Sequence, residues 1–252
     1  MQMLSVVIIT YNEEKNIGRC LDSVQSIANE IVILDSYSTD NTVTIAVSKG
    51  ATVYNNSFEG YIEQKNKALS LARYDLVLSL DADEALDEQL NASINAVKQH
   101  ADRMGYTMNR CTNYCGRYIR HGSWYPDVKL RLFNRNFVKW GGVNPHDKAE
   151  FIAKPNARHL RGDILHYSYE TLEEHVNQNN KFSTISAEAL FKRGKRTGWV
   201  KILFNPFWAF MVGYFVRLGF LDGYYGLVIA VNTAHLTFLK YIKLYQKQKE
   251  VH

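Results

Sequence analysis

Two carboxylates separated by one residue, Asp81 and Asp83, directly follow the apolar run at residues 76–80. That run has the length and composition of a buried strand, so both carboxylates stand at a strand end. Carboxylate oxygens suit Mg²⁺ or Mn²⁺, and these ions neutralise phosphate charge. The pair therefore predicts a divalent metal site for a phosphate-bearing ligand.

Polar side chains also follow two earlier apolar runs. Thr10, Tyr11 and Glu13 come after the first run, and Asp35 opens a hydroxyl-rich segment at residues 35–40. In parallel α/β sheets the carboxyl ends of the strands meet at one edge, and ligands bind there. Each residue alone would more often cap a helix or form a turn. Three such strand ends together favour a binding site.

The elements that must position these residues alternate along the first hundred residues. Apolar, β-branched runs predict strands at residues 4–9, 31–34, 51–54 and 75–80. Apolar residues at helical spacing predict helices between them, and Asn12 is expected to cap the first helix. The alternation predicts a parallel sheet with helices on its faces.

Periodicity is weaker in the middle of the chain, which we interpret as the completion of the same domain. The predicted elements there are short strands at residues 106–109 and 128–133, turns at Gly141-Gly142 and Asn144-Pro145, and a helix at residues 171–194.

Two common nucleotide-binding motifs are missing from the sequence. It contains neither Gly-x-x-x-x-Gly-Lys-Ser/Thr nor Gly-x-Gly-x-x-Gly, so P-loop hydrolysis and ordinary dinucleotide binding lose their main support. The glycine-rich, arginine-bearing loop of a nucleotide-sugar pyrophosphorylase is also absent after the first strand. The acidic strand ends must then act through a metal ion.

The cysteines and the first residues bear on cellular location. Cys20, Cys111 and Cys115 form an odd, sparse set, which indicates a reducing compartment. Cys111, Cys115 and His121 could supply soft metal ligands, but zinc-type spacing is missing and buried thiols are favoured. Residues 1–10 read as a strand and not as a signal peptide. The expected location is the cytoplasmic side of the membrane.

Basic and aromatic residues concentrate near the end of the chain. Residues 192–252 hold ten Lys and Arg against two Asp and Glu, together with 13 of the 32 aromatic residues. The apolar run at residues 207–216 fits burial at a bilayer surface better than spanning. With Lys240 and Lys247 on the next predicted helix, it suits anionic lipid. Packing on the rest of the chain or on a second copy is the alternative.

Four segments occur in order within the first 84 residues: SVVIITYNEE at 5–14, ILDSYSTDNT at 33–42, QKN at 64–66 followed by Ala68, and LDADE at 80–84. Together they resemble the inverting family 2 glycosyltransferases, which have the GT-A fold. Later segments are similar to bacterial lipopolysaccharide-core glucosyltransferases that act on heptose: KLRLFNR at 129–135, WGG at 140–142, HYS at 166–168 and FLDG at 220–223.

This resemblance implies roles for the residues at the strand ends. The implied donor-binding residues are Thr10, Tyr11, Glu13, Asp35, Lys65 and Asp81. Asp35 would bond the uracil or ribose, Lys65 would approach the phosphates, and Asp81 would hold the ribose or a metal-bound water. Asp83 would ligate the Mg²⁺ or Mn²⁺ ion on the diphosphate of a UDP-sugar, and His166 would complete that site.

Inversion requires one in-line displacement, so a carboxylate or histidine must take the proton of the acceptor hydroxyl. Many family members read Val-His-Glu where this chain has Val143-Asn-Pro-His-Asp147. Asp147 aligns with that Glu and is the expected base, with Glu84 or His146 as alternatives. Basic and aromatic side chains suit phosphate contacts and sugar stacking. Those expected to bind the acceptor are Arg131, Arg135 and Trp140.

The expected architecture is an α/β, GT-A catalytic domain at residues 1–170, followed by a helical, basic, aromatic-rich tail at 171–252. Residues 1–100 would form the donor-nucleotide half of that domain and residues 101–170 the acceptor half. Residues 199–249 of the tail would bind the inner face of the cytoplasmic membrane. The expected enzyme is thus cytoplasmic and membrane-peripheral.

The expected reaction is metal-dependent, inverting transfer of a hexose, with glucose from UDP-glucose as the expected donor, onto the inner-core heptose of lipopolysaccharide. Its partners would be a UDP-sugar and a lipid-linked oligosaccharide, with no nucleic acid. One alternative is a family 2 transferase that acts on a polyprenyl-linked or capsular glycan. Another is a non-catalytic, membrane-bound, nucleotide-binding adaptor.

Overall fold

The computed structural model describes residues 1–100, 103–144 and 146–250, and the side chain of His146 also lies outside this description. The chain divides into two compact units. The first unit comprises Met1–Arg110 and Asp127–Tyr167, and the second comprises Cys111–Pro126 and Ser168–His252.

Strands and helices alternate through the first hundred residues, as the sequence predicts. They are β1 (Leu4–Thr10), α1 (Ile17–Val24), β2 (Glu30–Asp35), α2 (Thr42–Ser48), β3 (Thr52–Asn55), α3 (Tyr61–Leu71), β4 (Leu76–Asp81), β5 (Glu84–Leu86) and α4 (Glu88–Gln99). In α1, Ile17, Cys20, Leu21 and Val24 recur at helical spacing and are all buried. They pack in one apolar core with side chains of β1 and β4.

Further strands extend this sheet and form a second, two-stranded one. They are β6 (Gly105–Tyr114), β7 (Arg117–Tyr118), β8 (Asp127–Asn134), β9 (Val138–Val143), β10 (His146–Phe151) and β11 (Ala157–Tyr169). The main sheet has the order β3-β2-β1-β4-β8-β6-β11-β5, with β7 paired to β6, and β9 and β10 form a separate hairpin. Strands β1 to β4 pair in parallel, whereas β8 runs antiparallel to β4. The predicted α/β class is confirmed.

The register of the parallel strands aligns the polar residues at their ends. Thr10 pairs with Asp35 across β1 and β2, and Ile9 pairs with Asp81 across β1 and β4. Side chains from three neighbouring strands therefore meet at the carboxyl edge of the sheet, where α/β proteins bind their ligands.

Some local predictions are wrong. Asn12 does not cap α1, which begins at Ile17 after Asn16, and Asn12 instead adopts a left-handed φ of 54° in the loop. Gly141 and Gly142 lie inside β9, not in a turn. A Cβ on Gly141 would lie 2.5 Å from a carboxylate oxygen of Glu150, so the glycine leaves room for that side chain on the hairpin.

The strand β11 escaped prediction altogether. Its 13 residues show no regular alternation of buried and exposed positions. Alternation is the main sequence signal of a half-buried strand, so its absence hides this one.

The second unit contains the predicted helical tail. It includes α5 (Leu172–Lys192), α6 (Trp199–Met211) and α7 (Gly223–Lys249), with a π-helical turn at Val212–Val216 and a 3₁₀ turn at Gly219–Asp222 between the last two. Thr171 and Glu174 form a capping box that begins α5 near the predicted start.

Aromatic rings pack around the buried imidazole of His175 in this unit. The ring of Tyr114 lies 5.3 Å from that of His175, and the Tyr114 hydroxyl is 3.0 Å from Nδ1 of the histidine. Trp124 and Tyr169 complete the packing. Burial lowers the pKa of His175 from 6.5 to about 4, because the charged imidazolium loses its hydration there.

We expect this histidine to make stability depend on pH. Below pH 6.5 the unfolded chain protonates His175, whereas the folded chain does so only near pH 4, so the free energy of unfolding falls as pH drops through this window. Urea unfolding at several pH values should therefore show a shallower decline for His175→Phe than for the wild type. Parallel declines would contradict the assignment.

Candidate active site

A cavity of about 650 Å³ lies at the carboxyl edge of the parallel strands in the first unit. Its walls come from the loops that follow β1 to β4, from α3, from the start of β10 and from the last part of β11. The lining residues are Ile9, Thr10, Tyr11, Glu13, Ser36, Phe58, Tyr61, Gln64, Lys65, Asp81, Ala82, Asp83, Asp147 and His166. Most of the donor and metal residues expected from the sequence thus meet in one place.

Side-chain hydrogen bonds hold the loops after β1 and β2 together. The backbone amide of Asn12 donates to the Ser38 hydroxyl at 2.8 Å, and the side-chain Oδ1 of Asn12 accepts from the backbone amide of Thr39 at 2.9 Å. The amide of Glu13 donates to the Thr42 hydroxyl at 2.7 Å. These cross-loop bonds fix the rim of the cavity without a ligand.

Asp35 supports the cavity wall from behind. It is only 1% exposed. One carboxylate oxygen accepts from the Thr10 hydroxyl at 2.8 Å and from the Ser38 hydroxyl at 2.5 Å, and the other accepts from the Ser38 amide at 2.7 Å. With its oxygens engaged in this way, Asp35 positions Thr10, which itself faces the cavity.

Asp81 is held by two cations from different elements. Its Oδ1 lies 2.8 Å from Nζ of Lys65 on α3, and its Oδ2 lies 2.9 Å from Nη2 of Arg131 on β8. Burial on its own would raise the pKa of Asp81, but the charges of Lys65 and Arg131 outweigh it and hold the pKa well below its usual value. Asp81 is therefore an anion at neutral pH.

Glu84 lies beneath this pair with a side chain that has no solvent exposure. Its Oε1 is 2.9 Å from Nη2 of Arg131 and 3.5 Å from Nη1 of Arg110, and its Oε2 accepts from the backbone amide of Asp81 at 3.0 Å. The carboxylate therefore anchors Arg131 and the end of β4. This location separates it from the space where a substrate would bind.

Asp147 enters the cavity from the hairpin of β9 and β10. Its Oδ2 lies 2.8 Å from Nζ of Lys65, so one ammonium joins Asp147 to Asp81. Asn66 on α3 fixes the hairpin, because its amide group accepts from Trp140 N at 3.0 Å and donates to Trp140 O at 2.9 Å. Asn144, near the hairpin tip, accepts from the first-turn amide of α3.

Asp83 and His166 meet at another wall, where Oδ2 and Nε2 are 3.1 Å apart. Within the described ranges 1–100, 103–144 and 146–250, no group of three or more His, Cys, Asp and Glu side chains could hold a metal ion. Mg²⁺ usually binds through one or two carboxylates together with substrate phosphates and water. The pair therefore fits a cation that binds with a diphosphate.

Glu13 completes the acidic side of the cavity. Burial raises its pKa above 4.5, a hydrogen bond from Asn16 partly offsets this, and the nearby carboxylates of Asp83, Asp40 and Asp81 raise it further. Several acidic groups thus crowd one wall, which favours a bound cation there.

A family model described as glycosyl transferase family 2 matches residues 5–212. The chain belongs to this family. An uncharacterized glycosyltransferase of Rickettsia typhi is 33% identical over 97% of this chain and 87% of its own length. The lipopolysaccharide core biosynthesis glycosyltransferase LpsC of Rhizobium meliloti is 30% identical over 97% of this chain and 92% of its own length.

Among solved structures, glucosyl-3-phosphoglycerate synthase from Mycobacterium tuberculosis, in complex with Mn²⁺, UDP and glucosyl-3-phosphoglycerate, has a TM-score of 0.36 at 22% identity. That similarity covers 44% of each chain. The family assignment therefore rests on the sequence relatives and the family model. The chain is a glycosyltransferase with the predicted GT-A architecture.

The three expected acceptor-binding residues of this glycosyltransferase lie elsewhere than expected. Arg131 is 4% exposed and is engaged by Asp81 and Glu84. Trp140 is also 4% exposed, and its ring lies under the Lys65 ammonium at 4.3 Å. Both side chains support the cavity from within the protein. Neither presents a surface on which an oligosaccharide could stack or bind.

Arg135 lies at the opposite end of the sheet from the cavity. It contacts Asp75, which precedes β4, at 3.4 Å, and it donates to the carbonyl oxygens of Leu69 and Ala72 at the end of α3. The expected acceptor-binding residue therefore does not line the cavity. The guanidinium instead ties α3 to the sheet.

Two aromatic residues of the cavity were missed from the sequence. Phe58 and Tyr61 stand in a T-shaped pair with ring centroids 5.0 Å apart, and both are about half exposed. They flank Gly60, whose φ of 151° bends the loop after β3. Their position after a parallel strand is the signal that could have identified them.

We expect Arg131→Met to destabilise the first unit by about 3–5 kcal/mol, because it leaves the buried Glu84 without its closest cation. Lys129→Met is the matched control on the same strand. Lys129 is about one-third exposed and pairs with Asp127, itself one-third exposed, at 2.9 Å, so its loss should cost at most about 1 kcal/mol. Urea unfolding measures both, and equal losses would contradict the buried network.

Proposed function

We propose that this glycosyltransferase moves a hexose from a UDP-sugar, with UDP-glucose as the expected donor, onto the inner-core heptose of lipopolysaccharide with inversion. The observation that carries the proposal is the convergence of Asp83, His166, Lys65 and Asp147 on one cavity. The relative named for lipopolysaccharide core biosynthesis supports the class of acceptor.

The donor would bind along the ends of β1, β2 and β4. Thr10, Tyr11 and Glu13 line this side, and the exposed ring of Tyr11 offers an apolar face to a uracil base. Phe58 and Tyr61 form a second apolar wall. Asp35 acts through Thr10 and need not touch the nucleotide.

Asp83 and His166 would hold Mg²⁺ or Mn²⁺ together with the donor diphosphate. When bound, the ion supplies positive charge that stabilises the UDP leaving group without a proton donor. Lys65 lies on the same cavity wall as Asp81, where its ammonium can approach a phosphate. The chain thus offers cationic and metal-ligating groups for the charge that develops on UDP.

Asp147 is the proposed base. It would take the proton of the acceptor hydroxyl while that oxygen bonds to the anomeric carbon and the bond to UDP breaks. Glu84 is unsuited to this role because its carboxylate is buried against Arg131. A diphosphate near Lys65 would compete with Asp147 for the ammonium and leave the aspartate to accept a proton.

The acceptor would be a lipid-linked oligosaccharide, which places the reaction at the inner face of the cytoplasmic membrane. Residues 199–249 would bring the enzyme to that surface. A polyprenyl-linked or capsular acceptor would share the donor half of the site. Release of UDP from UDP-glucose, measured with extracted core lipid and in parallel with prenyl-phosphate sugars, distinguishes these acceptors.

We expect Asp83→Asn to lower UDP release from UDP-glucose in Mg²⁺ or Mn²⁺ by about a hundredfold or more, because the metal ion on the diphosphate would lose a protein ligand. Asp75→Asn is the matched control, since Asp75 is exposed at the opposite end of β4. Circular dichroism checks that both variants fold. A chain that releases no UDP and binds no UDP-sugar by calorimetry would contradict the enzyme, and an effect in cells that survives Asp83→Asn would favour the adaptor.

We expect Asp147→Asn to slow sugar transfer by about 10²–10⁴-fold while donor affinity by calorimetry stays the same or rises. The asparagine cannot take a proton, and Lys65 loses a competing anion. Glu150→Gln, on the same hairpin and paired with Lys148 at 2.7 Å, is the control and should transfer normally. Full activity of Asp147→Asn would rule out this base.

A further inference from the structure

The second unit leaves a long apolar face uncovered. Along α6 and the turn that follows it, large apolar side chains are exposed: Trp199, Val200, Leu203, Phe204, Phe207, Trp208, Phe215 and Val216. Val200 is 79% exposed and Leu203 is 65% exposed. Their spacing of three and four residues places them on one side of the helix. Soluble proteins rarely expose so continuous an apolar stripe.

By length and composition, Trp199–Val216 and Gly219–Lys249 could each cross a membrane, and only 11% and 17% of their apolar windows are buried within the chain. They pack on each other as an antiparallel hairpin. Such a hairpin can enter a bilayer with its turn first, with its open end first, or not at all. The structure discriminates between these arrangements.

The turn of the hairpin is fastened to the segment after β7. Asp222 is buried, and its carboxylate accepts from the amides of Arg120 and His121 at 3.1 and 2.8 Å and contacts His121 Nδ1 at 3.1 Å. The amide of Gly122 donates to the Arg217 carbonyl oxygen at 2.9 Å. The turn is thus bonded on both sides of its 3₁₀ segment.

Glycines let the backbones of this turn pack too closely for any side chain. A Cβ on Gly226 would lie 1.8 Å from the Gly219 carbonyl oxygen, and one on Gly219 would lie 2.6 Å from the Gly213 carbonyl oxygen. One on Gly122 would contact both Gly213 and Gly219 at 3.5 Å. The turn is therefore tightly packed against the segment at residues 120–122.

This packing and these hydrogen bonds prevent the turn from crossing a bilayer. The hydrocarbon core is about 30 Å thick, so a spanning hairpin would carry its turn to the far side. Arg120 and Gly122 would have to follow, although they come directly after β7, which pairs with β6 at Asn113 and Tyr114. An open strand pair cannot enter hydrocarbon because its backbone polar groups would go unsatisfied.

The open end of the hairpin cannot cross either. Thr197, before α6, is joined to Gln248, near the end of α7, by hydrogen bonds of 2.7 and 3.1 Å. The flanking residues are strongly basic: Lys192, Arg193, Lys195, Arg196, Lys247 and Lys249. A charged side chain at the bilayer centre is costly, and the open end would carry six of them. Both ends of the hairpin therefore stay on one side of the membrane.

We infer that the hairpin of α6 and α7 lies in the plane of an anionic bilayer surface. The exposed apolar side chains of α6 would enter the outer acyl layer, and the basic residues at the open end of the hairpin would contact lipid phosphates. This inference rests on the proposed membrane association and defines its mode. Residues 192–252 contain ten basic and two acidic residues, which supports an anionic lipid as the partner.

The test uses the full chain and vesicles of phosphatidylglycerol and phosphatidylethanolamine that carry bromines either near the headgroup or near the acyl-chain ends. Trp208 is exposed on the stripe, and its quenching is isolated by comparison with Trp208→Phe. We expect the headgroup-side bromines to quench it more strongly. Stronger quenching by the deep bromines would show a spanning hairpin and overturn the inference.

Leu203→Asp should weaken binding to these vesicles about tenfold or more, because it places a charge on the stripe. Ala189→Asp, which adds the same charge at an exposed position of α5, should bind normally. Binding that is as tight to phosphatidylcholine vesicles, or a stable dimer that ignores vesicles, would also overturn the inference.

The inference and the proposed reaction fail separately. Leu203→Asp should still release UDP from soluble UDP-glucose, and Asp83→Asn should still bind vesicles. Loss of both properties in either variant would contradict the independence of the hairpin from the cavity.

Discussion

The carboxylate of Asp81 is the contact on which the candidate site depends. It ends β4, and its two oxygens are held by Lys65 from α3 and Arg131 from β8. Removing charged groups from water is costly, and the cost is met only when the partners are well placed. The sheet, α3 and the antiparallel half of the domain must therefore keep their mutual positions for this network to persist. Because the cavity lies between these elements, their fixed positions determine its shape.

The two aspartates of the Asp-Ala-Asp segment have different partners. Both carboxylates line the cavity, but Asp81 is paired with Lys65 and Arg131, whereas Asp83, two residues later, lies beside His166. A metal ion near Asp81 would have to compete with Lys65 and Arg131 for its oxygens. The pattern of alternate carboxylates thus yields one anion that is paired with two cations and one anion that lies beside a histidine.

Much of the cavity wall at the ends of the parallel strands could be predicted from the sequence because its signals are local. Apolar runs identify the parallel strands, and polar residues at their ends must converge on one edge. The contacts of β8 and of the β9–β10 hairpin could not be predicted this way. A sequence does not show that Arg131 pairs with buried carboxylates or that the Trp140 ring lies under Lys65, because those partners are distant along the chain. Arg135 directly follows the strand that contains Arg131, yet it lies at the opposite end of the sheet.

The helix α3 connects the end of β4 with the β9–β10 hairpin. Lys65 contacts both Asp81 and Asp147, while Asn66 and the first turn of the helix hold the β9–β10 hairpin through Trp140 and Asn144. A shift of α3 would therefore move the phosphate-side cation and the proposed base together. Because Lys65 is shared, the two carboxylates cannot respond independently to an anion that enters the cavity. The geometry thus favours a donor that binds before Asp147 becomes free to act on an acceptor hydroxyl.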